Sequence, residues 1–237
     1  MRIEHLRVLR EDARFGVAFF RRHPTALALA LAGVLLPLAA FGVLADRLRG
    51  EGWFPFDAPL LDAARAAASP ELDAFFVVVT LLGYQAGVVP VDIGLVAALA
   101  WFGRAREGVF AGVSTIGSAV LNLAAKPLFA RDRPALWMSI APEQNYSFPS
   151  GHAMGSMTLA CVLVLLSWRT RLRWWVLVPA LAFVLLVGAS RVYLGVHYPS
   201  DILAGWTAAM AWVVAVYLIA FARRRPWGET HADPADA

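Results

Sequence analysis

Long uncharged runs alternate along the chain with short connections that are basic or punctuated by proline and glycine. Residues 25–45 contain no charge until Asp46 and exceed the roughly 20 residues needed to cross a hydrocarbon core. A cleaved leader has a shorter apolar stretch and a small-residue cleavage site, so this run reads as a retained first span. Residues 75–102 are apolar but interrupted by Gly83, Gln85, Pro90 and Asp92, which fits one kinked span or a re-entrant start followed by a span. Residues 108–125 form a third run in which Gly112, Ser114, Gly117 and Ser118 let helices approach closely. Residues 151–168, 174–190 and 200–222 supply three more. The expected fold class is therefore all-α: a polytopic membrane protein of six transmembrane helices.

Between these runs the pattern changes. Residues 1–23 place Ile3, Leu6, Leu9, Ala13, Val17 and Phe20 at near-helical spacing, with Arg2, Arg7, Arg10, Arg14, Arg21 and Arg22 mostly elsewhere. That predicts an interfacial amphipathic segment over residues 1–24, a membrane domain over 25–222 and a tail over 223–237, loose from Pro226 onward. Residues 46–73, broken by Gly50, Gly52, Pro55, Pro59 and Pro70, read as a loop carrying a short interfacial helix over 60–68.

Composition sharpens this picture. With 59% hydrophobic and 16% charged residues and a mean hydropathy of +0.61, the chain does not suit a soluble globule. A net charge of +4 and a pI near 9.7 could point to nucleic acid, but the basic residues stand in short clusters rather than on one face. They read as orienting charges. The first 23 residues hold six; Arg104 and Arg106 add two, Arg169, Arg171 and Arg173 three, and Arg223, Arg224 and Arg225 three more, making fourteen of the 21. Six spans put these four segments on one side, which the positive-inside rule makes cytoplasmic. Arg47, Arg49, Arg65, Lys126, Arg131, Arg133 and Arg191 fall on the extracytoplasmic side. Trp53, Trp101, Trp137, Trp168, Trp174 and Trp175 lie near span ends, as interfacial tryptophans do. Cys161 is the only cysteine, which excludes an intramolecular disulfide and a cysteine metal cluster. Asp92 sits where a charge costs about 2.5–3.5 kcal/mol, so a polar contact, with Asn122 the nearest candidate, is expected for it.

Three stretches carry the chemistry: KPLFARDRP at residues 126–134, FPSGH at 148–152 and SRVYLGVHYPSD at 190–201. Each falls at the outer end of a span. Lys126 and Arg133 are seven apart, about two turns if the backbone stays helical, although Pro127 and Pro134 oppose that. Ser150 can cap the fourth span, and Gly151 lets an anion approach the exposed N–H groups of its first turn. Pro199 suits the first position of the sixth span, which puts Asp201 near the third, in reach of His197. A carboxylate there would fix one ring nitrogen and free the other for attack. Cations, backbone donors, two histidines and one carboxylate suit phosphate transfer, which depends on positioning and on neutralising phosphate oxygens. His152, His197 and Asp201 could by ligand type alone also hold a metal.

In order and spacing the stretches match K-x6-R-P, P-S-G-H and S-R-x5-H-x3-D, and the chain resembles the type 2 phosphatidic acid phosphatase family of membrane lipid phosphate phosphatases. The resemblance implies that His197 attacks phosphorus and forms a phosphohistidine, that Asp201 orients it, and that His152 protonates the leaving oxygen and then activates water. It further implies that Lys126, Arg133, Ser150, Gly151 and Arg191 hold the phosphate, with no cofactor and no metal. The expected partners are the bilayer and a membrane lipid phosphate, not nucleic acid. Undecaprenyl diphosphate leads the candidates, ahead of phosphatidic acid, phosphatidylglycerol phosphate and lipid A phosphate. A lipid-phosphate binding or translocating protein without turnover is the rival, but binding alone would not call for His152, His197 and Asp201. The vanadium haloperoxidases share these motifs but are soluble.

Overall fold

Proline and glycine decide where the apolar runs break into helices. The structure, a computed structural model, describes residues 24–50, 52–222 and 226–227. The amphipathic segment expected over 1–24 lies outside these apart from Pro24, as does most of the tail. The chain opens with α1 (Pro24–Ala30), a π-helical turn (Leu31–Leu35) and α2 (Leu36–Gly50), which continue one another. Pro37 has no N–H to give Gly33, and the wider turn lets the Leu36 N–H reach Leu31 O instead. Next come α3 (Asp57–Ala66), α4 (Pro70–Leu82), α5 (Val88–Trp101), α6 (Ala105–Phe129), α7 (Gly151–Ser167), α8 (Arg173–Tyr193) and α9 (Pro199–Ala220).

Among the described residues the expected all-helical architecture holds, and four helical stretches are long and apolar enough to cross a membrane: Leu27–Gly50, Ala105–Phe129, Arg173–Tyr193 and Pro199–Ala220. Val88–Trp101 and Gly151–Ser167 are apolar but shorter. Large apolar side chains face outward along these helices, among them Leu36, Ile93, Ile116, Leu123, Val178 and Ile219. A hydrocarbon environment accounts for such a surface; water does not.

The run 75–102 is not one kinked helix. The chain turns over residues 83–87, where a Cβ on Gly87 would lie 2.1 Å from Leu82 O. Both ends of α4 meet the last turns of α8: the Ser69 N–H bonds Tyr193 Oη at 3.2 Å, and a Cβ on Gly83 would meet Val187. Thus α4 lies across that end of the bundle, and α5 alone runs to the far end, where Leu99 packs with Phe110, Ala111, Val162, Leu166 and Val213. At that far end Arg106 donates to Ala220 O, and Trp227 bonds Leu166 O and Glu107, so Trp227 is docked rather than loose.

The centre of the bundle is α9. Its Gly205 lies so close to α7 that a Cβ would sit 2.8 Å from Ser150 O, and Gly117 of α6 leaves room for the Trp212 ring. Those approaches bring the helix starts of α7 and α9 side by side, with a second apolar cluster of Leu48, Phe54, Phe148 and Ala204 beneath them.

Candidate active site

The last turns of α6 and α8 and the first turns of α7 and α9 converge at one end of the bundle, and each sequence motif sits on one of them. Helix α6 does not continue to Arg133. It ends at Phe129 with Ala130 in the left-handed region at φ 45, and the connection to α7 is irregular. Lys126 and Arg133 nevertheless meet, over Asn145 rather than along a helix face. The Lys126 Nζ donates to Asn145 Oδ1 at 3.0 Å and Tyr146 O at 2.5 Å, while Arg133 Nε donates to Asn145 O at 2.7 Å.

Ser150 caps α7, its Oγ accepting from the Ala153 N–H at 3.5 Å, and its own N–H donates to Asp201 O at 3.1 Å, tying the two helix starts together. Gly151 follows, with Asn122 Oδ1 3.2 Å from where a Cβ would lie. His152 is on the first turn, its ring 5.2 Å from that of Tyr84. From the last turn of α8, the buried Arg191 guanidinium donates to Thr80 Oγ1 and Glu143 Oε1, and its Nε has no partner.

His197 is fully buried between two kinds of neighbour. Its Nε2 faces Arg133 Nη1 at 3.2 Å; its Nδ1 faces Asp201 Oδ2 at 3.4 Å and Ser147 Oγ at 3.3 Å. A guanidinium can only donate, so Nε2 carries the lone pair and Nδ1 the proton. Burial, together with the charges of Arg191 and Arg133, holds the His197 pKa well below its ordinary value, which keeps the ring neutral. Asp201 is fixed in turn, Oδ2 accepting from Ser147 Oγ at 2.5 Å and the Tyr198 N–H at 2.9 Å.

The middle of the basic cradle holds a carboxylate that the motifs do not contain. Glu143 pairs with Arg133 at 2.5 Å and with Arg191, and lies 3.6 Å from His152 Nδ1 and 4.0 Å from His197 Nε2. Burial alone would raise its pKa, but Arg191 and Arg133 outweigh that and bring it down to about 2. An anionic group entering the cradle must displace this carboxylate. Arg131, Asp57 and Ser147 were also invisible in the motif pattern, yet all three lie buried against His197 or Asp201, directly or through one neighbour. Arg131 stands two residues before Arg133, a hint of a second buried cation; Asp57 and Glu143 have no local signal.

Asp92 does not bond Asn122. The Asn122 amide donates to Pro149 O at 3.1 Å, and Asp92 Oδ1 has no hydrogen-bond partner, although both residues line a cavity of about 190 Å³ between α5, α6 and α7. Among the described residues no three His, Cys, Asp or Glu side chains are grouped to hold a metal. The assembled groups can bind a tetrahedral anion, present a neutral imidazole nitrogen to it and move a proton at His152.

The chain is similar to a family of known proteins. Residues 107–225 match the family model described as PAP2 superfamily, about half of the chain. The undecaprenyl-diphosphatase of Sulfolobus acidocaldarius is 35% identical over 120 residues, 48% of this chain and 56% of that protein, so the match spans little more than half of that relative. Phosphatidylglycerophosphatase B of Bacillus subtilis is 27% identical over 178 residues, 72% of this chain and 86% of that protein. The crystal structure of the transmembrane PAP2 type phosphatidylglycerolphosphate phosphatase from Bacillus subtilis superposes with a TM-score of 0.69 at 25% identity, covering 77% of this chain and 94% of that one.

Proposed function

This chain belongs to the PAP2 superfamily, and on that footing we propose that it hydrolyses a membrane lipid phosphate or diphosphate through a phosphohistidine on His197. The observation that carries the reading is the arrangement of that ring: Nε2 faces the cradle beside Arg133, and Asp201 stands behind Nδ1.

The Nε2 lone pair forms a bond to phosphorus as the bond from phosphorus to the leaving oxygen breaks in line with it. Lys126, Arg133, Arg191 and the N–H groups after Ser150 neutralise the phosphoryl oxygens, and the spare Arg191 Nε is a further donor for them. His152 takes up a proton as the anionic substrate enters beside it and gives that proton to the leaving oxygen. It then takes one from water, whose oxygen displaces His197 from phosphorus and releases phosphate. Asp201 holds the Nδ1 proton in place and balances the charge that the ring gains. The cations do the electrostatic work for which other phosphoryl-transfer enzymes use divalent ions, so turnover needs no metal.

For the substrate, the 35% identity to an undecaprenyl-diphosphatase favours undecaprenyl diphosphate. Phosphatidylglycerol phosphate is the second candidate, on the longer match to the Bacillus protein. The proposed setting is the cell membrane, with the shorter α5 and α7 joining the four long spans in a six-span layout. Fourteen basic residues stand on the cytoplasmic side, and the site faces away from the cytoplasm.

The test is phosphate release by purified, detergent-solubilised protein across undecaprenyl diphosphate, phosphatidylglycerol phosphate, phosphatidic acid and lipid A phosphate, with His197→Ala as control. Release from at least one lipid, absent in the control, is expected. Tight lipid binding without release would favour the binding or translocating alternative.

A further inference from the structure

The sequence motifs end at Asp201, but the buried charges around it do not. Arg131, in the connection from α6 to α7, donates from Nη1 to Asp201 Oδ1 at 2.6 Å and to Ser200 Oγ at 2.7 Å. Its Nη2 donates to Asp57 Oδ2 at 2.8 Å, and its guanidinium stacks 3.9 Å from the centre of the Tyr198 ring. Asp57, the first residue of α3, receives the Ser200 N–H at 2.9 Å and the Ser200 hydroxyl at 2.6 Å. Asp57, Arg131, Ser200 and Asp201 are all buried. None of them touches the cradle of Arg133, Arg191 and Glu143.

We propose that Arg131 and Asp57 are positioning residues for the reaction, a buried clamp that fixes the His197–Asp201 pair and matches its charge to the phosphorylated state. This rests on the phosphatase reading above. Two physical points support it.

The first is geometric. Asp201 uses Oδ2 toward His197, so the direction of Oδ2 depends on what holds Oδ1, and Arg131 is the hydrogen-bond donor there. Arg131 is held in turn by Asp57, 74 residues away in sequence, which also clasps the first turn of α9. A guanidinium forked between two carboxylates and stacked on a ring has little freedom to move.

The second is electrostatic. Asp57, Arg131 and Asp201 together carry one surplus negative charge while His197 is neutral. When Nε2 bonds to phosphorus and Nδ1 keeps its proton, the ring becomes cationic and the surplus finds its partner. In a buried site such a match favours the charge that develops rather than the resting state.

The groups facing Asp201 are His197 and the Tyr198 N–H from the α8–α9 connection, Ser147 and Arg131 from the α6–α7 connection, and Asp57 behind Arg131. Lys126 and Arg133 act on it from farther off. Removing Arg131 takes away the cation in direct contact with Asp201 Oδ1. Removing the charge of Asp57 acts in the opposite sense.

The experiment measures kcat, KM, the pH dependence of kcat and thermal unfolding for the full chain in detergent, using whichever of the four lipids turns over best. The variants are Arg131→Met, Arg131→Lys and Asp57→Asn. Arg131→Met should lower kcat on the order of 10²-fold, as a misplacement near the reacting atoms does, with KM within about threefold. Its acid limb should move to higher pH, and Arg131→Lys, which restores the charge without the fork, should recover part of kcat and the wild-type acid limb. Asp57→Asn should lower kcat about tenfold with its acid limb not raised. Wild-type kcat and acid limb in Arg131→Met would overturn the inference. So would a parallel loss of kcat, KM and thermal stability with an unmoved acid limb and no recovery by lysine. If Arg131→Met does not fold, Asp57→Asn decides: wild-type kcat, or a failure to fold as well, leaves a purely structural clamp. Wild-type turnover measured alongside separates the two readings, since a wild type inactive on every lipid brings down both.

Discussion

Neutralising Glu143 should make the protein bind its substrate better. The Glu143 carboxylate lies between Arg133 and Arg191, where a substrate phosphate would have to go, so each binding event includes its displacement. Holding that carboxyl at about 2 against an ordinary 4.5 corresponds to roughly 3 kcal/mol in favour of the ionised, arginine-bound form. The side chain is 25% exposed, and allowing for solvent screening leaves about 1.5 kcal/mol for the substrate to overcome. Glu143→Gln keeps the shape and removes the charge, so KM should fall about tenfold with kcat within about twofold of wild type. The folded value lies below the ordinary one, so the advantage of the ionised form is complete above the ordinary value and is lost as pH falls toward 2. The tenfold gap in KM between variant and wild type should therefore be constant from about pH 5.5 to 8. Initial-rate phosphate release in detergent micelles at fixed lipid mole fraction reads both parameters. An unchanged KM with a large loss of kcat would refute this reasoning; it would mean that Glu143, 3.6 Å from His152, helps that histidine in turnover.

Three further outcomes follow from the same structure. A reporter fused after Ala237 should be cytoplasmic and a tag at residues 141–145 reachable from outside intact cells; an external reporter would reverse the orientation drawn from the basic residues. Excess EDTA should leave turnover intact and vanadate should inhibit it, because five-coordinate vanadate resembles the in-line displacement; loss of activity in EDTA restored by one divalent ion would reject the metal-free mechanism. Gly205→Ala places a Cβ 2.8 Å from Ser150 O and 3.1 Å from Met154 N, so it should destabilise the protein by about 1–3 kcal/mol and lower the melting temperature; unchanged melting would show that α7 and α9 can separate at no cost.

Much of the fold was legible because the bilayer imposes long uncharged runs, and α6, α8 and α9 lie where those runs lie. The break between α4 and α5 was ambiguous. Gly83 and Gln85 interrupt the apolar run there but fit a kink as well as a turn, and the close approach of Gly87 to Leu82 O is what reveals the turn. Lys126, Ser150, Gly151, His152, Arg191 and Asp201 are brought together at one end because each sits at a helix end, where spacing along the chain has a fixed spatial meaning, whereas Arg133 and His197 lie in the connections. Glu143, Asp57 and Ser147 lie in irregular connections or on a short helix, where sequence distance carries no such meaning. Arg131 was read as one more basic residue at a span end; its burial and its two carboxylate partners are tertiary facts. Asp92 was assigned a partner that Pro149 O had taken.

The central claim is that His197 becomes phosphorylated. Purified protein mixed with phosphate-labelled lipid and quenched within the first turnover should carry acid-labile, alkali-stable label on the peptide containing His197. The label should decay at a rate no slower than kcat and be absent from His197→Ala. Phosphate release at the normal rate with no labelled protein at any quench time, or label on His152 instead, would contradict it.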